Sequence, residues 1–145
     1  QAAGRLPSGW SYVLPTETQW EYACRAGTTT AYSWGATITT SNAKYTPIGA
    51  GGNSQTEDVG QYAANPWGFF DMHGNVFEWT ADRYGTYPTG YPVIDPLGAA
   101  SGSGRVNRGA SLFSPGTNLR SARRNDNPPS SRFYTLGFRI GFQQQ

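Results

Sequence analysis

Four side chains in this sequence have the chemistry that catalytic or metal sites use. Cys24 is the only cysteine and His73 the only histidine, while Asn75 and Glu78 offer an amide and a carboxylate oxygen close together in the chain. Oxygen donors of this kind suit a hard cation such as calcium. A nucleophilic mechanism would need a base and an orienting carboxylate beside the nucleophile. Because a lone histidine in the turn "DMHGN" is more typical of structure than of catalysis, we predict no catalytic residues.

The helix that must position Cys24 is the clearest local element, in "LPTETQWEYACRAG". Thr16 and Gln19 have the spacing of a capping box, which marks a helix start. Gly27 is well placed as the C-terminal stop. Cys24 lies four residues after Trp20 on the same apolar face, so we predict a buried structural thiol rather than a reactive one.

Short strands separated by long loops are predicted for the rest of the chain. Residues 28 to 62 are poor in apolar anchors and indicate a long irregular stretch. Val76 to Thr80, next to "DMHGN", is typical of a buried strand. The segments "RVNRGAS", "LRSARR" and "LGFRIGF" predict three further short strands. No repeat or internal boundary divides residues 1–145, so we predict one domain.

Composition supports a loop-rich fold and excludes several functions. Hydrophobic residues make up 37% and charged residues 14% of the 145 residues, with five Trp, nine Tyr and seven Phe. A net charge of +2 is too small to predict nucleic-acid binding. All cations except Lys44 are arginines, which we expect to fasten loops through carboxylates and carbonyls. Nothing in the sequence resembles a signal peptide or a membrane span.

Four landmarks together resemble one known family: "RLPSGWSYVLPTETQWEYACRAGT", "GFFDMHGNVFEWTAD", "RVNRGAS" with "LRSARR", and "LGFRIGF". The family is that of the formylglycine-generating enzyme, or sulfatase-modifying factor. The resemblance implies a C-type-lectin-like α+β fold with short twisted strands, few helices and long irregular loops. Family members carry a much longer segment before the "LPTE" helix than the 13 residues present here. We therefore expect a compact version, or a part that a partner chain completes.

The resemblance also defines where oxidising members keep their chemistry. They place two cysteines just after the "RGGS" strand and bind copper with them. Here the strand continues from Arg108 to Ser111, Ser114 stands near the position of the first thiolate, and no cysteine follows. Since soft thiolates hold Cu(I), we expect no copper and no formylglycine generation by this chain alone. The alternative is a metal-dependent oxidase, or a structural subunit, that a partner chain completes.

The resemblance implies structural calcium as well. In the family, the segment matching "GNVFEW" contributes oxygen ligands, which predicts Asn75 and Glu78 as calcium ligands, and Asn42 matches a second calcium position. The alternative is structural: Glu78 pairs with an arginine, and Asn75 caps a turn.

A second resemblance concerns the C-terminal segment, which is similar to the variable proteins of diversity-generating retroelements. A frame of Arg108, Gly109, Leu119, Arg120 and Gly137 is interspersed with residues typical of diversified codons. These predicted ligand-binding residues are Leu112, Phe113, Ser114, Thr117, Asp126, Phe133, Tyr134 and Thr135. Aromatic and small polar side chains suit recognition of a protein or glycan ligand.

Further predictions concern the residues around this surface, the arginines that hold its loops, and the cellular location of the protein. We expect Tyr87 and Tyr91 to add a rim, and Arg120, Arg123 and Arg139 to hold the loops. An extracellular, cell-surface or virion-surface location would suit such a domain. Three functions remain open: a retroelement variable protein, another non-catalytic binding or structural member of the family, and an enzyme.

Overall fold

The computed structural model describes residues 6–49, 55–87, 89–90 and 93–144. These contain one α-helix, one 3-10 helix and six short strands. In chain order the elements are β1 (Trp10–Val13), α1 (Glu17–Arg25), β2 (Phe77–Arg83), β3 (Arg105–Arg108), the 3-10 helix (Gly116–Leu119), β4 (Asn125–Asn127), β5 (Leu136–Phe138) and β6 (Gly141–Gln144). The predicted α+β class, with few helices and long irregular loops, is confirmed.

The helix α1 forms where the capping signals placed it. The Thr16 hydroxyl accepts a hydrogen bond from the Gln19 amide, and the Gln19 side chain accepts one from the Thr16 amide. The helix ends at Arg25, after which Ala26 adopts a left-handed conformation. Trp20 and Cys24 are both buried, which confirms the predicted burial of the thiol.

Two sheets hold the strands together. The larger has the order β4-β3-β2-β5, in which β5 runs parallel to β2 and the other pairs are antiparallel. The second is the antiparallel pair of β1 and β6, from opposite ends of the chain. One core cluster, beneath α1, joins Trp20, Cys24 and Met72. The other joins Tyr32, Ala43, Ala110 and Leu119.

Three of the predicted strands differ from those observed. The strand expected from Val76 to Thr80 begins at Phe77 and continues to Arg83, because it goes on pairing with β3 beyond an irregularity. The segment "LRSARR" is not a strand: it starts at the end of the 3-10 helix and turns where the Arg123 amide bonds the Arg120 carbonyl. The segment "LGFRIGF" divides into β5 and β6, which belong to different sheets.

The stretch from 28 to 62 is irregular in its described part, as predicted, and it is fixed at two points. Tyr32 and Gly35 form a bridge within it, and Lys44 bridges Gly74 in the turn before β2. The Asn75 amide also donates to the Lys44 carbonyl. These bonds hold the loop against the start of β2. Among the described residues, no helix has the length and apolarity needed to cross a membrane.

Candidate ligand-binding surface

A tight turn after β3 presents the first predicted contact residue. Gly109 and Ala110 both have positive φ, 83° and 61°, and reverse the chain at the end of the strand. The Ser114 amide donates to the Ser111 carbonyl, while the Ser111 amide donates to the Ser114 hydroxyl. These reciprocal bonds close the turn, and Phe113 projects from it with 49% of its surface exposed.

The segment before β5 presents two more aromatic rings. The Thr135 carbonyl accepts a hydrogen bond from the Phe77 amide, which fastens this segment to the start of β2. Phe133 and Tyr134 are 56% and 67% exposed. The rings of Phe113 and Tyr134 meet edge to face, with centroids 5.9 Å apart at 87°. We call Phe113, Phe133 and Tyr134 the C-terminal surface.

The other predicted contact residues fall into three groups: some are exposed or half-buried, some are buried, and one lies on β4. Thr117 is exposed on the 3-10 helix, and Thr135 is half-buried beside Tyr134. Leu112 and Ser114 are 1% and 8% exposed, so the expectation that they contact a ligand is corrected. Leu112 packs inward because its amide and carbonyl bond Asn75 and Thr46, and it supports the surface from beneath.

Asp126 is not brought to the C-terminal surface by the sheet. It lies on β4 opposite Val106, near the start of β3, whereas the turn that carries Phe113 follows the end of β3. The expected rim is also corrected. Tyr87 donates to Glu17 and lines a cleft beside α1, and Tyr91 lies outside the described residues.

The side chains with reactive groups are buried away from solvent. Burial raises the pKa of the Cys24 thiol to about 12. His73 is 5% exposed, and burial lowers the pKa of its imidazole to about 4. The Cys24 sulfur lies 3.5 Å from His73 Nε2, but a thiol with a raised pKa is a poor nucleophile and a poor metal ligand. The pair therefore serves packing.

Arginine–carboxylate pairs hold the frame of the surface. Arg139 binds Glu78 through two hydrogen bonds of 2.6 Å and also donates to the Phe70 carbonyl. Arg120 donates only within its own loop, to the Thr117 carbonyl. Arg123 contributes its backbone carbonyl, which accepts a hydrogen bond from a buried neighbouring arginine. Of the three expected fasteners, Arg139 makes the long-range contact.

The sequence analysis did not predict two arginine–carboxylate pairs that join α1 to the rest of the fold. Arg124 binds both oxygens of Glu17, at 2.6 and 2.8 Å, and its guanidinium lies over the rings of Tyr84 and Tyr87. Arg108, fully buried, donates to Glu21. The excess of arginine over lysine was the available signal, but it does not say which acid each arginine meets.

The predicted calcium ligands do not fit an ion in this arrangement. Both carboxylate oxygens of Glu78 are taken by Arg139, and one also accepts from the Trp20 indole at 2.5 Å. Asn75 exchanges two hydrogen bonds with the backbone of Glu57. The Asn42 side-chain oxygen accepts two from Thr39. The structural alternative, an arginine pair and a capped turn, is the arrangement present.

Comparison with protein-family models finds one match that spans almost the whole chain. Residues 1–142 match the sulfatase-modifying factor enzyme 1-like domain. Among curated proteins, the formylglycine-generating enzyme of Streptomyces coelicolor is 36% identical over 141 residues, covering 87% of this chain and 45% of that protein. The serine/threonine-protein kinase pkn1 of Chlamydia caviae is 38% identical over 135 residues, covering 87% and 20%. The chain thus spans less than half the length of these relatives.

Two solved structures share the fold at appreciable identity. Treponema denticola variable protein 1 superposes with a TM-score of 0.79 and 34% identity, over 92% of this chain and 48% of that one. PvdO from Pseudomonas aeruginosa superposes with a TM-score of 0.80 and 28% identity, over 95% and 54%.

Proposed function

The chain belongs to the sulfatase-modifying factor enzyme 1-like family, and we propose that within it this domain binds a protein ligand through its C-terminal surface and is not a catalyst. The observation that carries the proposal is the turn after β3. Where the resemblance places a copper-binding thiolate, Ser114 is buried and bonded to Ser111. Beside it, the exposed rings of Phe113 and Tyr134 form a contact pair.

The physical character of the surface supports binding. Aromatic rings bring a large contact area at little cost in conformational entropy, and the three rings are about half exposed or more. Next to Phe113, the buried Leu112 fixes the backbone of the turn, because its amide and carbonyl bond Asn75 and Thr46. A preformed surface of this kind loses little free energy to ordering when it binds.

The test selects ligands without assuming their identity. A random peptide library displayed on phage is panned on the purified chain, and the enriched peptides are synthesised and titrated by biolayer interferometry. We expect Phe113→Ala and Tyr134→Ala each to weaken binding by roughly tenfold or more, as aromatic anchors do. Tyr22→Ala is the matched control, because Tyr22 is 66% exposed and makes an edge-to-face pair with Trp67 elsewhere on the surface.

Three results would overturn this proposal. One is that no peptide is enriched, and another is that every enriched peptide binds both variants of the C-terminal surface as tightly as the wild type. The third is a glycan array signal that Phe113→Ala abolishes while peptides fail, which would assign the surface to glycans. The rival enzyme function predicts tight Cu(I) binding near Ser114, so a competitive titration with a Cu(I) chelator separates the two.

The similarity to a protein called variable protein 1 supports a more specific proposal, that the exposed positions are diversified by a retroelement. Of the positions typical of diversified codons, Phe113, Phe133 and Tyr134 are exposed, as this proposal requires, whereas Leu112 and Ser114 are buried. Sequencing the genomic neighbourhood tests this. A reverse transcriptase with an adenine-rich template repeat supports the proposal, and a neighbourhood without either refutes it.

A second candidate function is suggested by the β1–β6 sheet, one face of which is apolar and exposed. Trp10, Tyr12 and Phe142 are 37%, 59% and 62% exposed, and Trp10 meets Phe142 edge to face. A two-stranded sheet is marginally stable alone, so we propose that a separate polypeptide, equivalent to the part of the relatives that this chain does not match, covers this face.

The part of the Streptomyces coelicolor relative that this chain does not match is the probe. Light scattering after co-expression should show a one-to-one complex that Phe142→Ser weakens, and separate elution would refute the proposal.

A further inference from the structure

A separate cleft of about 420 Å³ lies beside the parallel pair of β2 and β5. Three phenyl rings line it: Phe69 and Phe70, from the loop before β2, and Phe138 at the end of β5. They are 40%, 47% and 62% exposed. This volume is in the range that holds small ligands or single side chains. None of these three rings belongs to the C-terminal surface.

The polar lining of the cleft is fixed in position. Arg139 is held by its two hydrogen bonds to Glu78, and its Nη2 also donates to the Phe70 carbonyl. Within the described part of the chain, none of its hydrogen bonds uses Nη1. Asp71 has a left-handed backbone (φ 56°), and one of its carboxylate oxygens accepts the Gly60 amide at 2.6 Å. The cleft therefore combines an unused donor on Arg139 with a carboxylate acceptor on Asp71.

The charges of the lining decide what kind of ligand fits. Asp71 and Glu78 carry one negative charge each and Arg139 one positive charge, so the lining has one negative charge in excess. A carboxylate ligand would meet net repulsion here, whereas a neutral amide would not. A peptide unit supplies a carbonyl for Arg139 and an N–H for Asp71. The phenyl rings favour a large apolar side chain beside that unit.

We propose that this cleft binds an extended, uncharged peptide segment that inserts a large apolar side chain among Phe69, Phe70 and Phe138. The peptide carbonyl bonds Arg139 Nη1, and the peptide N–H bonds the Asp71 carboxylate. The site is independent of the function proposed for the C-terminal surface, and its partner is a protein that exposes such a segment.

The experiment titrates the whole chain with N-acetylphenylalanine amide and follows the backbone amide spectrum by NMR. The reporters are the Gly68 and Gly74 amides in the lining and the Trp20 indole, which bonds Glu78. We expect saturable shifts with a dissociation constant of about 1 mM, as is usual for a ligand of this size. N-acetylphenylalanine carboxylate should bind at least about threefold more weakly because of the negative lining, and N-acetylglycine amide should not saturate.

Two exposed phenylalanines make a matched pair of variants. Phe138 and Phe142 are both 62% exposed, but only Phe138 lines the cleft. Phe138→Ala should weaken binding about tenfold, while Phe142→Ala should leave it within about twofold, with unchanged melting temperatures showing that both fold. The proposal is overturned if the reporters do not shift, if the carboxylate binds as well as the amide, or if the two variants weaken binding equally. Because Phe113→Ala and Tyr134→Ala lie outside the cleft, their effect on phage-selected peptides tests the other function separately.

Discussion

Acid should destabilise this fold through one residue, His73. The imidazole Nδ1–H donates to the Leu119 carbonyl at 2.6 Å, which leaves Nε2 as the acceptor for the Ser33 amide. The rings of Tyr32 and Trp34 meet the imidazole edge-on, with centroids 5.8 and 4.6 Å away. A second proton at Nε2 would therefore point at a donor in a site closed off by aromatic rings. Burial lowers the pKa of His73 from 6.5 to about 4, against the smaller opposing effect of the Leu119 hydrogen bond.

The sign and size of the effect follow from proton linkage. Between pH 6.5 and pH 4 the unfolded chain binds a proton at His73 that the folded chain does not, so stability falls as the pH falls. Each unit of pKa difference corresponds to about 1.36 kcal/mol. With the pKa values of 6.5 and about 4, the free energy of unfolding should drop by about 2 kcal/mol at pH 5 and about 3 kcal/mol at pH 4 relative to pH 7.5.

Urea denaturation followed by tryptophan fluorescence measures this from pH 7.5 to pH 5. The upper part of that range isolates His73, because it is the only histidine. The pKa of Glu57 is lowered below 4.5 by its hydrogen bonds with Lys44 and Tyr62, so its contribution is lost at more acid pH. Burial raises the pKa of Asp82 above 3.8, which contributes the opposite sign near the acid end.

The matched variant is His73→Gln, which keeps a donor for the Leu119 carbonyl but does not titrate. It should be less stable at pH 7.5, and its free energy of unfolding should be nearly constant down to pH 5. A wild-type curve that is flat over this range would refute the reasoning. So would a variant that keeps the wild-type slope, since another group would then bind the proton.

Four further predictions follow from the same contacts. Leu112→Ala should cost about 2–5 kcal/mol of unfolding free energy, and exposed Phe113→Ala less than about 1 kcal/mol; equal costs by denaturant titration would contradict the buried-and-exposed alternation. Glu17→Gln should cost about 1.5–3 kcal/mol because it removes the carboxylate that accepts both hydrogen bonds of the partly buried Arg124 guanidinium, and an unchanged melting temperature would contradict that. At pH 8, iodoacetamide should modify native Cys24 about a thousandfold more slowly than an ordinary thiol, since burial raises the pKa of Cys24 from 9.0 to about 12; mass spectrometry showing rapid native labelling would oppose it. Calcium at about 5 mM should leave the melting temperature unchanged, and a rise of several degrees that Glu78→Gln removes would show that the ion displaces Arg139.

Local signals determined how much of the fold was predictable. The helix was found because both of its ends are encoded within the segment, by Thr16 with Gln19 and by Gly27, which follows the C-cap residue Ala26. The exposure of Phe113, Phe133 and Tyr134 was predicted because they lie between the residues that resemble the family's frame and are not part of that frame. The burial of Leu112 was not anticipated, since its hydrogen bonds are with Asn75 and Thr46, far away in the chain.

The errors share a physical cause, which is that the deciding partner is distant in sequence. The segment "LGFRIGF" divides because β6 pairs with β1, more than a hundred residues earlier. The segment "LRSARR" does not form a strand because Leu119 is drawn into the core and Arg120 closes a turn on Thr117. The calcium site stays a prediction, and nothing near Glu78 in the sequence shows that Arg139 bonds both of its carboxylate oxygens.

The contacts that hold the C-terminal surface are physically separate from the contacts it offers. Its backbone is fixed by Leu112, by the Ser111–Ser114 bonds and by the Thr135 carbonyl on β2, all turned inward. The rings of Phe113 and Tyr134 meet each other and are 49% and 67% exposed. Because the contacts that fix this segment belong to the inward set, we expect the exposed residues to be exchangeable without loss of the fold. Under the proposed binding function, a surface with this division would tolerate changes at its exposed positions, whereas an active site, whose reacting groups must also be held by the core, would not.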